Sequence, residues 1–177
     1  MKKFFTFLIL GFLLVVGFGC QSNNGVKIPS GWITFKSSYY GFSLAYPDNM
    51  EMRGRSVERQ SSSYIGLSGN FFASLRDVKR ESKPVSLAVF YSFKDISTDK
   101  FIDSLKTSDP DNITIKETID LSQGGLSIKK IINTTALGTD KVHYVFQNDG
   151  NLIVVSVFIG EENNFTPVLA TMQVLTK

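Results

Sequence analysis

The side chains that could carry chemistry are few and poorly matched. The chain holds one histidine and one cysteine in 177 residues. His143 lies in Val142-His143-Tyr144-Val145-Phe146, a strand-like run in which it shares a face with Val145. A half-buried or surface strand histidine is expected there. One histidine and a distant cysteine do not make the ligand set that zinc requires. Gly66-Leu67-Ser68-Gly69 lacks the last spacing of a Gly-x-Ser-x-Gly nucleophile turn, and no pattern pairs Ser68 with His143. Asp109-Pro110-Asp111-Asn112 brings oxygen ligands close together, as a calcium loop does, without the glycine and later glutamate of an EF-hand. A turn leaving a helix explains those residues more simply. Asp95, Asp99 and Asp103 recur every fourth residue. Asp95 is expected to precede a helix, with the other two as helix-start charge and solvated face. An enzyme built on carboxylates alone would have no nucleophile paired with a base. We therefore assign no catalytic residue, no metal ligand and no cofactor.

Cys20 stands in a different setting. Met1-Lys2-Lys3 is basic, and Phe4 to Gly19 is an uncharged run dominated by Phe, Leu, Ile and Val. A basic start, an apolar stretch and a small residue before the cut describe a secretory signal. A sole cysteine directly after Gly19 resembles the end of a bacterial lipoprotein signal, in which the cysteine is acylated and becomes the new N-terminus. The resemblance implies a signal peptide over residues 1–19, lipid of the palmitate class on Cys20, and a membrane as partner through that lipid. Two or more acyl chains hold a protein firmly, whereas one binds marginally. The expected location is the cell envelope, facing away from the cytoplasm. Gln21 rather than aspartate follows the cysteine, which in a diderm bacterium fits the outer membrane. Two other readings remain open: an ordinary secretory signal with Cys20 there by chance, and an uncleaved membrane helix. The sixteen apolar residues would span only about 24 Å as a helix, against a hydrocarbon core of about 30 Å.

Removal of residues 1–19 leaves 158 residues, with seventeen Lys and Arg against sixteen Asp and Glu. That balance is not the clustered basic excess of a nucleic-acid binder, so no nucleic-acid partner is expected. With Cys20 committed to lipid, the body has no disulfide and must rely on its core.

These residues need elements to position them. Residues 20–31, polar with Gly and Pro, read as the lipidated cysteine and a tether. The domain is expected over 32–177. Period-two patterning predicts strands at Trp32–Lys36, Gly41–Tyr46, Phe71–Val78, Val85–Phe93, Ile113–Leu121, Leu126–Thr135, Lys141–Gln147 and Leu152–Ile159. Lys79 to Pro84 reads as a hairpin connection, and Asn148-Asp149-Gly150-Asn151 as a tight turn. Ser97 or Thr98 can cap a helix to about Lys106, with Phe101, Ile102 and Leu105 as its stripe. Asn164 can cap a second helix from Phe165 to about Met172, with Pro167 early in it. The fold class that follows is α+β: one twisted antiparallel sheet with helices on its faces.

Tyr39-Tyr40-Gly41-Phe42-Ser43-Leu44-Ala45-Tyr46-Pro47 resembles the opening of the PsbP-like family, where an aromatic, Gly-Phe-Ser and then Tyr-Pro mark the first hairpin. The order of elements is similar too. The resemblance implies an α/β/α sandwich and non-enzymatic binding roles. Photosynthetic members are extrinsic subunits of photosystem II, and many bacterial relatives are exported lipoproteins. No binding residue is carried over to this chain.

Surface candidates are weaker. Arg53, Arg55 and Arg59, and then Arg76, Lys79, Arg80 and Lys83, could meet anionic headgroups. Acidic Glu51, Glu58, Asp77 and Glu81 are interleaved, which favours solvated loops. Tyr39, Tyr40, Tyr64, Phe71 and Phe72 could form a recognition patch or simply pack in the core. Asn112, Asn133 and Asn164 match the glycosylation pattern, which a bacterial setting discounts. The expected function is a non-enzymatic binding or complex-assembly role with a protein partner in the envelope. The alternative is a small-ligand or metal-ion binding module displayed at the membrane.

Overall fold

The computed structural model describes residues 26–54, 61–78, 85–109, 113–135, 138–158 and 160–175. The signal stretch, Cys20, the start of the tether and residues 79–84 lie outside them. Eleven strands and two helices form among the described residues. The first pair, β1 (Trp32–Ser37) and β2 (Phe42–Pro47), is an antiparallel hairpin. Then come β3 (Met50–Gly54), β4 (Ser61–Tyr64), β5 (Leu67–Asp77), β6 (Val85–Lys94) and α1 (Thr98–Ser108). The rest are β7 (Thr114–Gln123), β8 (Leu126–Thr134), β9 (Asp140–Asn148), β10 (Asn151–Val157), α2 (Glu162–Leu169) and β11 (Gln173–Val174).

The strands make two sheets. The small one has the order β1-β2-β11, and the large one runs β3-β5-β6-β10-β9-β8-β7 with β4 paired to β5. All the strand pairs are antiparallel. One core joins Tyr40, Phe42 and Leu44 of the small sheet's hairpin to Phe72, Phe90, Tyr144 and Phe146 of the large sheet. Phe165, Val168 and Leu169 of α2 and Met172 close that layer. A second core on the other face of the large sheet packs Phe101 and Leu105 of α1 against Phe93, Ile131, Val145 and Val154.

The expected α+β arrangement is therefore corrected. The described residues are mostly strand, and the helices are short, 11 and 8 residues. The large sheet is not sandwiched between helical layers: a second sheet, with α2 beside it, covers one face. The physical cause is visible in β2, where every residue from Phe42 to Tyr46 is buried. Such a strand is wrapped on both sides instead of alternating inward and outward. Thr171, just after α2, shows how. Its Oγ1 accepts a hydrogen bond from the Ala45 N–H at 2.7 Å and shares its proton between Val168 O at 2.7 Å and Ala45 O at 3.0 Å. One hydroxyl thus stands in for a neighbouring strand.

Several local expectations hold. The first helix has Ser97 as its cap, its side chain accepting from the Lys100 N–H. Asp149 and Gly150 both adopt positive φ, 49° and 75°, the two-residue turn that matches strand twist. The second helix starts earlier than expected, at Glu162, and Asn164 does not cap it. Its Nδ2 instead donates to Glu161 Oε2 at 2.7 Å. β7 also departs from simple alternation. A register shift between Ile115 and Glu117 turns the strand, so Ile115 packs under α1 while Leu121 reaches the opposite core.

Candidate functional site

His143 is fully buried, where a half-buried or surface position was expected. The face was read correctly, since Val145 lies in the same core beneath α1. What the strand pattern could not give is its company. On β10, Ser156 stands directly opposite His143, and on β8 Asn133 lies two positions beyond its partner Ile131. His143 Nδ1 is 2.8 Å from Ser156 Oγ, and Nε2 is 3.0 Å from Asn133 Oδ1. The carboxamide oxygen only accepts, so Nε2 carries the ring proton and Nδ1 accepts from the serine hydroxyl. Ser156 shares that proton with the Tyr64 hydroxyl, which accepts from its Oγ at 3.1 Å. The rings of Tyr64 and Phe101 meet the imidazole edge-on, and Lys141 Nζ sits 5.2 Å from the Tyr64 ring centre. Burial drives the His143 pKa down to about 3, with the Lys141 charge adding to the shift.

The composition of this cluster invites comparison with a serine–histidine–amide catalytic set. Its setting does not support one. Ser156, His143 and Asn133 are 1%, 0% and 2% exposed, so no substrate atom reaches the serine in this conformation. The imidazole stays neutral, and each ring nitrogen is held by a partner. The arrangement can fix β8, β9 and β10 in register. Asn133, a glycosylation candidate in the sequence, is the amide that serves this role.

The more open chemistry lies at the β9–α2 side. A cleft of about 260 Å³ is lined by Ile132, Asp140, Val142, Phe158, Gly160, Glu162 and Asn163. That volume falls below the roughly 300–1,000 Å³ of most small-ligand sites. Its carboxylates are already engaged. Lys130 Nζ is 2.6 Å from Glu162 Oε1, and Lys116 Nζ is 2.7 Å from Asp140 Oδ1. The Lys116 contact lowers the Asp140 pKa. Tyr144 donates weakly to Glu162 at 3.4 Å, and burial together with that carboxylate pushes its phenol up to about 12.

The other sequence candidates scatter. Ser68 is exposed on β5, on a different strand from His143 and its serine partner. Asp109 ends α1, where its carbonyl accepts from the Ile113 N–H at 2.8 Å, in keeping with a helix-exit turn; residues 110–112 lie outside the described residues. Asp95 precedes α1 at φ 56°, Asp99 is in its first turn, and Asp103 is exposed. Arg53 pairs with Glu51 at 2.7 Å. Arg76 Nε is buried without a hydrogen-bond partner. Arg55, Arg59, Lys79, Arg80 and Lys83 lie outside the described residues. The five aromatics do not form one patch: Tyr40 and Phe72 are core, Tyr39 is 66% exposed, and Tyr64 and Phe71 pack on Tyr91 across the α1 face. Among the described residues, no three His, Cys, Asp or Glu side chains are grouped to hold a metal ion.

Comparison with solved structures adds one decisive likeness. The solution structure of cyanobacterial PsbP (CyanoP) from Synechocystis matches 85% of this chain and 95% of its own, at 12% identity and a TM-score of 0.53. The chain has a PsbP-like fold. At that identity the likeness reaches the fold alone. A Pseudomonas aeruginosa protein of unknown function matches 77% of this chain and 89% of its own, at 10% identity. Its TM-score of 0.33 carries no argument. No family model and no curated protein matches the chain. The PsbP-like fold thus rests on geometry, and Gly41 and Phe42 of the opening motif lie where the β1–β2 turn passes into β2. There Gly41 adopts φ +68°, and Asn148 Nδ2 donates to the carbonyls of Tyr40 and Gly41 at 2.7 and 3.1 Å.

Proposed function

We propose that this protein is an exported, lipid-anchored binding protein of the bacterial envelope, holding a PsbP-like body outside the cytoplasm for a protein partner. One observation carries the reading. The sole cysteine follows a basic start and a sixteen-residue apolar run, with a polar stretch after it. The non-enzymatic part draws support from the burial of Ser156, His143 and Asn133 and from the lysine pairing of Glu162 and Asp140. The small size of the cleft beside α2 weighs against a captured metabolite. Crosslinking the intact protein in its own membranes, followed by co-purification, tests the role. A reproducible partner supports it; repeated recovery of the protein alone counts against it. Intact mass of the natural product tests the anchor, since acylation of Cys20 adds the mass of its acyl groups.

A further inference from the structure

Five large apolar side chains are exposed among the described residues: Ile28, Ile33, Tyr39, Val78 and Phe158. The strand order places four of them at one end of the molecule. Trp32 at the start of β1 pairs with Pro47 at the end of β2, and Ile33 pairs with Tyr46. The Val78 N–H donates to Asn49 O at 3.2 Å, just beyond that hairpin, and the neighbouring Asp77 pairs with both Met50 and Val85. The Phe158 N–H donates to Leu87 O at 3.0 Å on the adjoining strand of the same sheet. Ile28 leads into this end through a turn in which the Trp32 N–H donates to Pro29 O at 3.3 Å. Tyr39 alone sits at the opposite end, in the β1–β2 turn.

This is also the end at which the chain enters from Cys20. The nine steps of chain from Cys20 to Pro29 span at most about 30 Å when fully drawn out. An acylated cysteine therefore keeps the apolar rim within that distance of its bilayer, at high effective concentration. The described charged residues near the rim include both signs, Lys27 and Arg76 together with Asp48 and Asp77, and Arg53 pairs with Glu51. Apolar side chains among charges of both signs, tethered beside lipid, suit partial insertion at the headgroup boundary.

We propose that the rim of Ile28, Ile33, Val78 and Phe158 is a bilayer-docking surface, so that the body rests on the membrane with its Tyr39 end pointing away. The proposal rests on the lipid-anchor reading and adds an orientation to it. The partner is the lipid surface itself, not a protein.

Trp32, the only tryptophan in the chain, lies at this rim and reports on it. The acylated mature protein, beginning at Cys20, is reconstituted into phosphatidylcholine vesicles whose acyl chains are brominated near the headgroup. Trp32 emission should fall to half or less of its value in unbrominated vesicles. The Ile33→Asp and Phe158→Asp double variant should recover most of that emission while its thermal transition stays cooperative. Tyr39→Ser should leave the quenching unchanged. A protein that floats with the vesicles yet keeps an unquenched Trp32 overturns the docking and leaves the anchor standing. An unmodified Cys20 by intact mass overturns the anchor and the docking together. Shielding of Trp32 from acrylamide only after envelope proteins are added gives the rim to a protein partner and also overturns the proposal.

Discussion

His143 and Ser156 face each other across β9 and β10, with the imidazole Nδ1 2.8 Å from the serine oxygen. Both are sealed from water. The imidazole must stay neutral in the folded protein while titrating normally in the unfolded chain. Its folded pKa, about 3, is depressed from 6.5. The unfolded state therefore binds more protons at acid pH. The stability is fully present above pH 6.5 and is lost progressively as pH falls toward 3. The loss is about 1.4 kcal/mol per unit, so about 2 kcal/mol disappears between pH 7.5 and 5. Urea unfolding at the two pH values measures it. His143→Gln, which cannot titrate, should flatten this part of the dependence; equal slopes in both proteins would refute the assignment.

Thr171 holds both main-chain groups of Ala45 with one hydroxyl. Thr171→Val keeps the shape and removes the hydrogen bonds, leaving a buried N–H unpaired at a cost of about 1–3 kcal/mol. Thr171→Ser should cost less than about 1 kcal/mol, because the hydroxyl remains. Denaturant midpoints of the two variants check the order, which should not reverse.

Gly124 is pressed against the C-terminal segment. It has φ +54°, and a Cβ there would overlap Met172 O and lie 2.7 Å from Gln173 Cα. Gly124→Ala should destabilise by about 2–4 kcal/mol through backbone strain and the displacement of β11. Amide exchange should quicken first at Val174, whose N–H donates to Gly124 O, and at Leu175, which donates to Gly41 O. Unchanged protection at both amides would show that the segment is not held there.

Under the proposed lipid anchor, Cys20→Ala should move the protein from the membrane pellet to the soluble exported fraction, since the sequence holds one cysteine. Fractionation with immunodetection reads the outcome. Full membrane retention of the variant would end the lipid-anchor proposal.

The hairpins were legible where chemistry at the turn is local. Asp149-Gly150 announces itself, and so do Ser97 as a cap and the alternation of Phe42, Leu44 and Tyr46. Three of the strands were not. β4 is Ser-Ser-Ser-Tyr and β11 is two residues, while the alternation of Met50 and Met52 with Glu51 and Arg53 in β3 stops after five residues. They are strands because β5 and β2 offer hydrogen-bonding edges, which no window of sequence records. The polar cluster was hidden for a related reason. Asn133 and Ser156 are ordinary strand residues in sequence, and only the register of β8, β9 and β10 turns them toward His143. The expectation of helices on the sheet faces failed because two short amphipathic stripes were given the whole task of covering it.

Among the described residues, β7 borders the large sheet, with the register shift near Lys116 and charged Lys116, Glu117 and Asp120 along its length. A bent, charged margin is a poor template for an incoming chain. An incoming strand would therefore gain little by pairing along β7.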